Sequence, residues 1–305
     1  MIKIANLEKS FDKRGIAGIR KLDLKLHKNE ILALMGPNGS GKTSLLRMIA
    51  GELEKEGGEI SIEGEIVFFK GQVDVENDNV QKFLTSSVKK EMDEDKKIQL
   101  ARDLADTFEF TFQLRQKMHE LSSGQKQKIL IASVLINRPE IFLMDEPFAH
   151  LDPYTRVEIL RGLFRYIKEQ EMSVIWVTHD LLEAQEFADR IAVMNFGKIE
   201  QDNTPLEILK SPRNLFVAKF LGYRNFITQN GNEILVIPDH AWMESSDGDE
   251  YEVVNRYPGN QKVHYQLRRE ERTFYLVEDQ RQRLYSVGQK LRLTPHPQMS
   301  FLIPL

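Results

Sequence analysis

The chain has 305 residues, more than one hydrophobic core comfortably holds, and this predicts a large domain followed by a smaller one. Hydrophobic residues at 41% and charged residues at 29% give a globular balance, and 42 Lys and Arg against 46 Asp and Glu leave a formal charge of −4, which argues against a dedicated nucleic-acid binder. The absence of cysteine excludes disulfide frameworks, thiolate metal sites and thiol nucleophiles.

The opening residues Met1-Ile2-Lys3-Ile4-Ala5 carry none of the pattern of a secretory signal. Apolar runs are only a few residues long, where a membrane span needs about 20. Residues 31–35, Ile-Leu-Ala-Leu-Met, predict a buried strand, and residues 43–50 predict a helix closed by Gly51. Between them Gly36-Pro37-Asn38-Gly39-Ser40-Gly41-Lys42-Thr43, with Ser44 next, fits G-x-x-x-x-G-K-[ST] without a gap. Glycines let successive backbone N–H groups turn inward around phosphates, and the following helix aims its positive end at them. Lys42 suits the β- and γ-phosphates, and the Thr43 hydroxyl suits Mg²⁺. A glycine-rich turn that binds nothing is the alternative. The strand before and the helix after favour a nucleotide site that also takes Mg²⁺.

From about 74 to 120 the chain is rich in Lys, Asp and Glu and lacks Pro, which predicts a helical insertion. Residues 141–144 predict another buried strand. Its end presents Asp145, a candidate Mg²⁺ carboxylate, and then Glu146, placed to polarise an attacking water as a general base. Acidic pairs at strand ends also cap turns, and Pro147 does follow; beside a phosphate loop the catalytic reading gains weight. Val157, Leu160, Leu163, Phe164 and Ile167 fall on one helix face, and residues 174–177 and 191–194 repeat the strand pattern. This alternation predicts an α/β fold with a mainly parallel sheet. Beyond about residue 223 the period changes. Val263, Tyr265 and Leu267, then Phe274 and Leu276, then Leu291 and Leu293 alternate as strands of a small, mostly β part. The run Ser245-Ser246-Asp247-Gly248-Asp249-Glu250 is expected to be an exposed loop within it.

Leu121-Ser122-Ser123-Gly124-Gln125 stands just ahead of the Asp145-Glu146 strand and is followed by an apolar helix. With the phosphate loop before it, this order of motifs resembles the ATPase subunits of ABC transporters over roughly residues 1–222. The resemblance implies a P-loop NTPase domain of the ABC type over 1–222, with a helical subdomain at about 74–125, and a small C-terminal β domain over 223–305. It implies that Phe11 stacks on adenine, and that Gln72 is the glutamine that ligates Mg²⁺ and senses the permease. Ser122, Ser123, Gly124 and Gln125 would face the γ-phosphate held by the other subunit, although Ser123 stands where the family usually has glycine. Asp152 would communicate across the dimer, and His179 would contact the γ-phosphate and the attacking water. Lys42, Glu146 and His179 are then the catalytic group, and Thr43, Gln72 and Asp145 the metal group.

The implied partners are a second ATPase subunit in a homodimer, an integral-membrane permease and a substrate-binding protein, with no nucleic acid. The implied location is cytoplasmic, peripheral on the inner face of the membrane. Gly197-Lys198-Ile199-Glu200-Gln201, Thr204-Pro205 and Phe220-Leu221-Gly222 resemble importer ATPases that carry a C-terminal β domain of the TOBE kind. An exporter ATPase and a non-transport regulatory ATPase are the alternatives.

Overall fold

The computed structural model describes residues 1–11, 18–71, 78–89, 91–229, 232–280 and 284–304. The chain divides into two compact units, Met1–Pro205 and Leu206–Leu305.

In the first unit, period-two alternation makes an antiparallel sheet from β1 (Ile2–Ser10) and β2 (Gly18–Leu26), joined on the other edge of β1 by a later strand. Ile2, Ile4, Leu22, Leu24 and Leu26 point inward from it. The run at β3 (Ile31–Met35) is buried at every position, as a strand covered on both faces must be. Helix α1 (Lys42–Ile49) follows, then β4 (Gly57–Ile62), which completes the order β2-β1-β4, and β5 (Ile66–Phe69). Helices follow: α2 (Val80–Ser86), α3 (Glu94–Thr107), short 3-10 turns at Thr111–Arg115 and Met118–Glu120, and α4 (Ser123–Leu135). Helix α3 starts where Asp93 accepts from the Lys96 N–H, and Glu94 and Asp95 sit in its first turn, favourable to the helix dipole. The chain then alternates through β6 (Ile141–Asp145), α5 (Pro153–Glu169), β7 (Ser173–Val177), α6 (Leu181–Phe187), β8 (Arg190–Asn195) and β9 (Lys198–Asn203).

The main sheet runs in the order β5-β6-β7-β3-β8-β9, parallel except for β9. Leu45, Leu46, Met48 and Ile49 of α1 pack in one cluster with β1 and β2 and with Leu32, Leu34, Leu143, Ile175 and Val177 of the main sheet. Phe164 of α5 lies 4.9 Å from Trp176 of β7 and stacks on Phe187 of α6. Burial at this density makes the sheet a rigid base for whatever leaves its strand ends.

The second unit opens with α7 (Pro205–Lys210), which straddles the division, and α8 (Leu215–Phe220), followed by β10 (Asn225–Gln229) and β11 (Glu233–Ile237). Then come β12 (Trp242–Pro258), β13 (Lys262–Arg269), β14 (Arg272–Asp279), β15 (Lys290–Pro295) and β16 (Phe301–Pro304). They form antiparallel sheets ordered β10-β11-β16 and β14-β13-β12-β15, with Tyr251, Tyr265, Leu267, Leu276 and Leu293 buried. Two expectations need correcting here. The division falls at residue 205 rather than 222, because Ala218 of α8 packs with Ile234, Val236 and Ile303 of the β10-β11-β16 sheet. Residues 245–250 do not leave the sheet as a loop. They belong to β12, where Glu244 and Asp249 both pair with Leu293, so residues between them form a bulge. Gly248 lies so close to β15 that a Cβ there would stand 2.7 Å from the Leu293 backbone.

Candidate functional site

Three neighbouring strands of the main sheet, β6, β7 and β3, end on the same side and each delivers chemistry. Asp145 closes β6 with Glu146 after it, Thr178 and His179 follow β7, and the phosphate loop follows β3. Carboxyl ends of parallel strands are the ordinary ligand site of open α/β sheets. A cleft of about 390 Å³ opens there, lined by Phe11, Gly18, Asn38, Gly39, Gly41, Lys42, Thr43, Ser44 and Glu146. That volume lies within the range of about 300–1,000 Å³ found for small-molecule sites.

The loop is shaped by close approaches that side chains would block. A Cβ on Gly36 would stand 2.1 Å from the Met194 carbonyl oxygen, and Gly36 has φ 147°. Gly197 matters as much, and sequence reasoning assigned it no role in the site. With Phe196 it makes the turn between β8 and β9, both residues at positive φ. Its N–H donates to the Ser40 carbonyl at 2.9 Å, and its own carbonyl accepts from the Arg20 N–H at 3.0 Å. The turn thus fastens the phosphate loop to β2. An added Cβ would fall 1.8 Å from the Gly18 carbonyl oxygen. Gly197→Ala is therefore expected to weaken ATP binding by about 1–3 kcal/mol, the usual scale of local backbone strain. Phe196→Ala, which removes an exposed ring from the same turn, is expected to leave it unchanged. An ATP titration of both variants decides; wild-type affinity in Gly197→Ala would show that the turn does not support the loop.

Lys42 is buried and its ammonium donates to the carbonyls of Gly36 at 2.8 Å and Pro37 at 3.1 Å. Burial holds its pKa below the usual lysine value, and the negative charges of Glu146 and Asp145 act against that fall. Burial pushes the Asp145 carboxyl up, opposed chiefly by the hydrogen bond from Thr43. Thr43 and Asp145 thus bring a hydroxyl and a carboxylate together at the end of the loop. Such a pair fits Mg²⁺, a hard cation that takes oxygen ligands and keeps waters and phosphate oxygens in its remaining positions.

Glu146 sits in the left-handed region at φ 47°, costly for a residue with a side chain, and this elbow turns its carboxylate toward His179. Its Oε1 meets the His179 Nε2. Both side chains are part-exposed, so a water has access to the pair.

Lys42, Thr43, Asp145, Glu146 and His179 are brought together by this geometry, with Phe11 on the rim. Ser122, Ser123, Gly124, Gln125 and Asp152 do not line that cleft. Ser122 caps α4: its Oγ accepts from the Gln125 N–H at 3.3 Å, and the Gln125 Oε1 accepts from the Ser122 N–H at 3.0 Å. Asp152 caps α5 by accepting from Thr155 at 3.0 Å, a bond that holds its carboxyl below the usual range. Gly124 stands where a Cβ would come within 2.6 Å of the Thr155 methyl, so the two helix starts lie side by side. Gln72 lies outside the described residues. Gln127 was missed by sequence reasoning: buried in α4, it donates to the Pro147 carbonyl at 2.7 Å and braces the chain just after Glu146. A polar residue on the apolar face of α4 was the available signal.

The sequence profile described as ABC transporter matches residues 19–149. The chain is 36% identical over 247 residues to the spermidine/putrescine import ATP-binding protein PotA of Fusobacterium nucleatum subsp. nucleatum, covering 77% of this chain and 65% of that one. It is 33% identical over 261 residues to the protein of the same name in Bacillus thuringiensis, covering 80% of this chain and 78% of that one. The chain thus spans just under two thirds of the first relative and more of the second. Among solved structures it is similar, with TM-score 0.58 and 26% identity, to a dimeric ATP-binding cassette in a post-hydrolysis state bound to ADP and Pi, covering 67% of this chain and 99% of that one.

Proposed function

The chain belongs to the ATP-binding subunits of ABC transporters, and from that premise we propose that it binds ATP and Mg²⁺ in the cleft after β3, hydrolyses ATP, and couples hydrolysis to import through a separate membrane permease. The observation that carries this reading is the convergence of Lys42, Thr43, Asp145, Glu146 and His179 at the ends of three adjacent strands.

Each residue has a part. The amides of residues 38–43 receive the phosphates, and Lys42 exchanges its carbonyl contacts for the β- and γ-phosphate oxygens. Thr43 and Asp145 would hold Mg²⁺, and the ion would supply positive charge to the phosphate oxygens. Glu146 accepts the proton of the attacking water, and His179 holds that water and the γ-phosphate in line. Phe11 offers its ring to the base.

Ser122, Ser123, Gly124 and Gln125 stand away from this cleft in their own chain, which supports a site completed by a second copy: the signature helix of each subunit caps the ATP of the other. Bridging γ-phosphate charge then favours closure only while that charge is present, so hydrolysis reopens the pair and moves the permease. Among the described residues no helix is long and apolar enough to cross a membrane.

The test is affinity purification of the tagged protein from membranes in mild detergent, with mass spectrometry of what remains bound. A polytopic membrane protein in stoichiometric amount is the expected result. Soluble partners alone would overturn the transport role while leaving ATP hydrolysis to stand on its own assay.

A further inference from the structure

Behind His179 lies an arrangement that the reaction outlined above does not use. Strand β7 ends at Val177, and the chain turns through Thr178, His179 and Asp180 into α6. The corner is tied at several points. The Asp180 carboxylate accepts from the N–H groups of Leu182 at 2.9 Å and Glu183 at 3.1 Å, and the Asp180 N–H donates to the Thr178 hydroxyl at 3.1 Å. That hydroxyl in turn donates to Oε2 of Glu183 at 3.3 Å. Oε1 of Glu183 meets the Arg156 Nε at 2.8 Å. Glu183 is 5% exposed, and burial pushes its carboxyl up against the pull of the Arg156 charge.

An ion pair with Glu183 buried and Arg156 partly exposed is a poor source of stability, because desolvation offsets much of the attraction. What it supplies is geometry. Arg156 belongs to the first turn of α5, where its N–H donates to the carbonyl of the capping residue Asp152 at 3.0 Å. One carboxylate therefore joins the start of α5 to the corner that carries His179. Glu146, His179, Arg156 and Glu183 all line one small cavity of about 60 Å³.

We propose that Glu183, gripped by Arg156 and Thr178, is the positioning residue that sets His179 against Glu146 and ties its placement to the start of α5. The inference rests on the ATPase reading and deepens it: hydrolysis depends on a side chain that touches neither ATP nor water. Because the start of α5 holds Asp152, any contact that moves that cap is passed to His179 through Arg156 and Glu183.

The experiment is ATP hydrolysis and ATP affinity of the full chain as wild type, Glu183→Gln, His179→Ala and the double variant, with thermal unfolding alongside. Glu183→Gln is expected to lower kcat by about 10- to 100-fold, the scale of an ångström-sized misplacement, while ATP affinity stays within about twofold. In the His179→Ala background the same change is expected to add less than about twofold, because residues acting through one another are not additive. Thr178→Val leaves the ion pair whole and is expected to lower kcat in the same direction; if Glu183→Gln does not fold, this variant decides. Equal losses in both backgrounds, or an unchanged kcat in a folded variant, overturn the proposal. A wild-type chain that binds ATP without hydrolysing it overturns the function instead, so the two failures are told apart.

Discussion

Glu146→Gln is expected to bind ATP as the wild type does and to lower hydrolysis by about 10²- to 10⁴-fold, the usual contribution of a positioned base. The change is isosteric, so the left-handed elbow at φ 47° and the reach to the His179 Nε2 are both kept. Only the ability to take a proton is lost. Because the amide removes a negative charge from the phosphate cleft, ATP affinity should hold or rise slightly. Closure on ATP would then have no exit, and the variant should accumulate as an ATP-dependent dimer that size-exclusion chromatography separates from the monomer. Turnover within a few-fold of wild type would remove Glu146 from its role and leave the base to be found elsewhere. The elbow itself argues for the assignment, since strain at a residue with a side chain persists where the surroundings enforce it. Here the Asp145 strand end on one side and the Gln127 contact to Pro147 on the other do so.

The parts that were legible in the sequence are those whose physics is local. The phosphate loop must be contiguous to wrap phosphate with consecutive amides, so one string of residues reveals it. Buried parallel strands such as Ile31–Met35, and residues 174–177 of β7, read as apolar runs because both faces are covered. The α4 start was legible in kind, since Ser122 and Gln125 form a capping box at the required spacing. What stayed hidden depends on residues distant in sequence. The bulge in β12 reads as a loop because Ser, Asp and Gly are loop residues, and only its pairing with Leu293 shows otherwise. Helix α8 reads as the end of the first domain until Ala218 meets Ile234 and Ile303. Arg156 and Glu183 look like ordinary charges on helical faces, and no local pattern joins them across the fold. The same holds for Gly197, whose turn is visible in sequence while its contact with Ser40 is not.

Lys42→Ala is expected to abolish useful ATP binding, with a loss of about 2–5 kcal/mol, the cost of truncating one member of a buried hydrogen-bonded charge pair. The ammonium is the positive charge that stands beside Asp145 and Glu146, and both carboxylates act on its pKa. Without it the cleft presents two acidic groups to a polyanion, so repulsion adds to the lost contact. Lys42→Met separates the two effects, because it keeps most of the volume of the side chain and removes only the charge and its hydrogen bonds. If charge is the cause, the Met and Ala variants should lose affinity alike, whereas a loss from collapse of the loop should be milder in Met. Lys42→Arg is not expected to rescue, since a planar guanidinium cannot fit between the Gly36 and Pro37 carbonyls as a compact ammonium does. The folded chain should tolerate all three. Among the described residues the side chain bonds to the Gly36 and Pro37 carbonyls, contacts worth about 0.5–1.5 kcal/mol each in net stability. Calorimetric titration with ATP beside a thermal scan makes the comparison, and wild-type affinity in Lys42→Met would move the phosphate site away from this loop altogether.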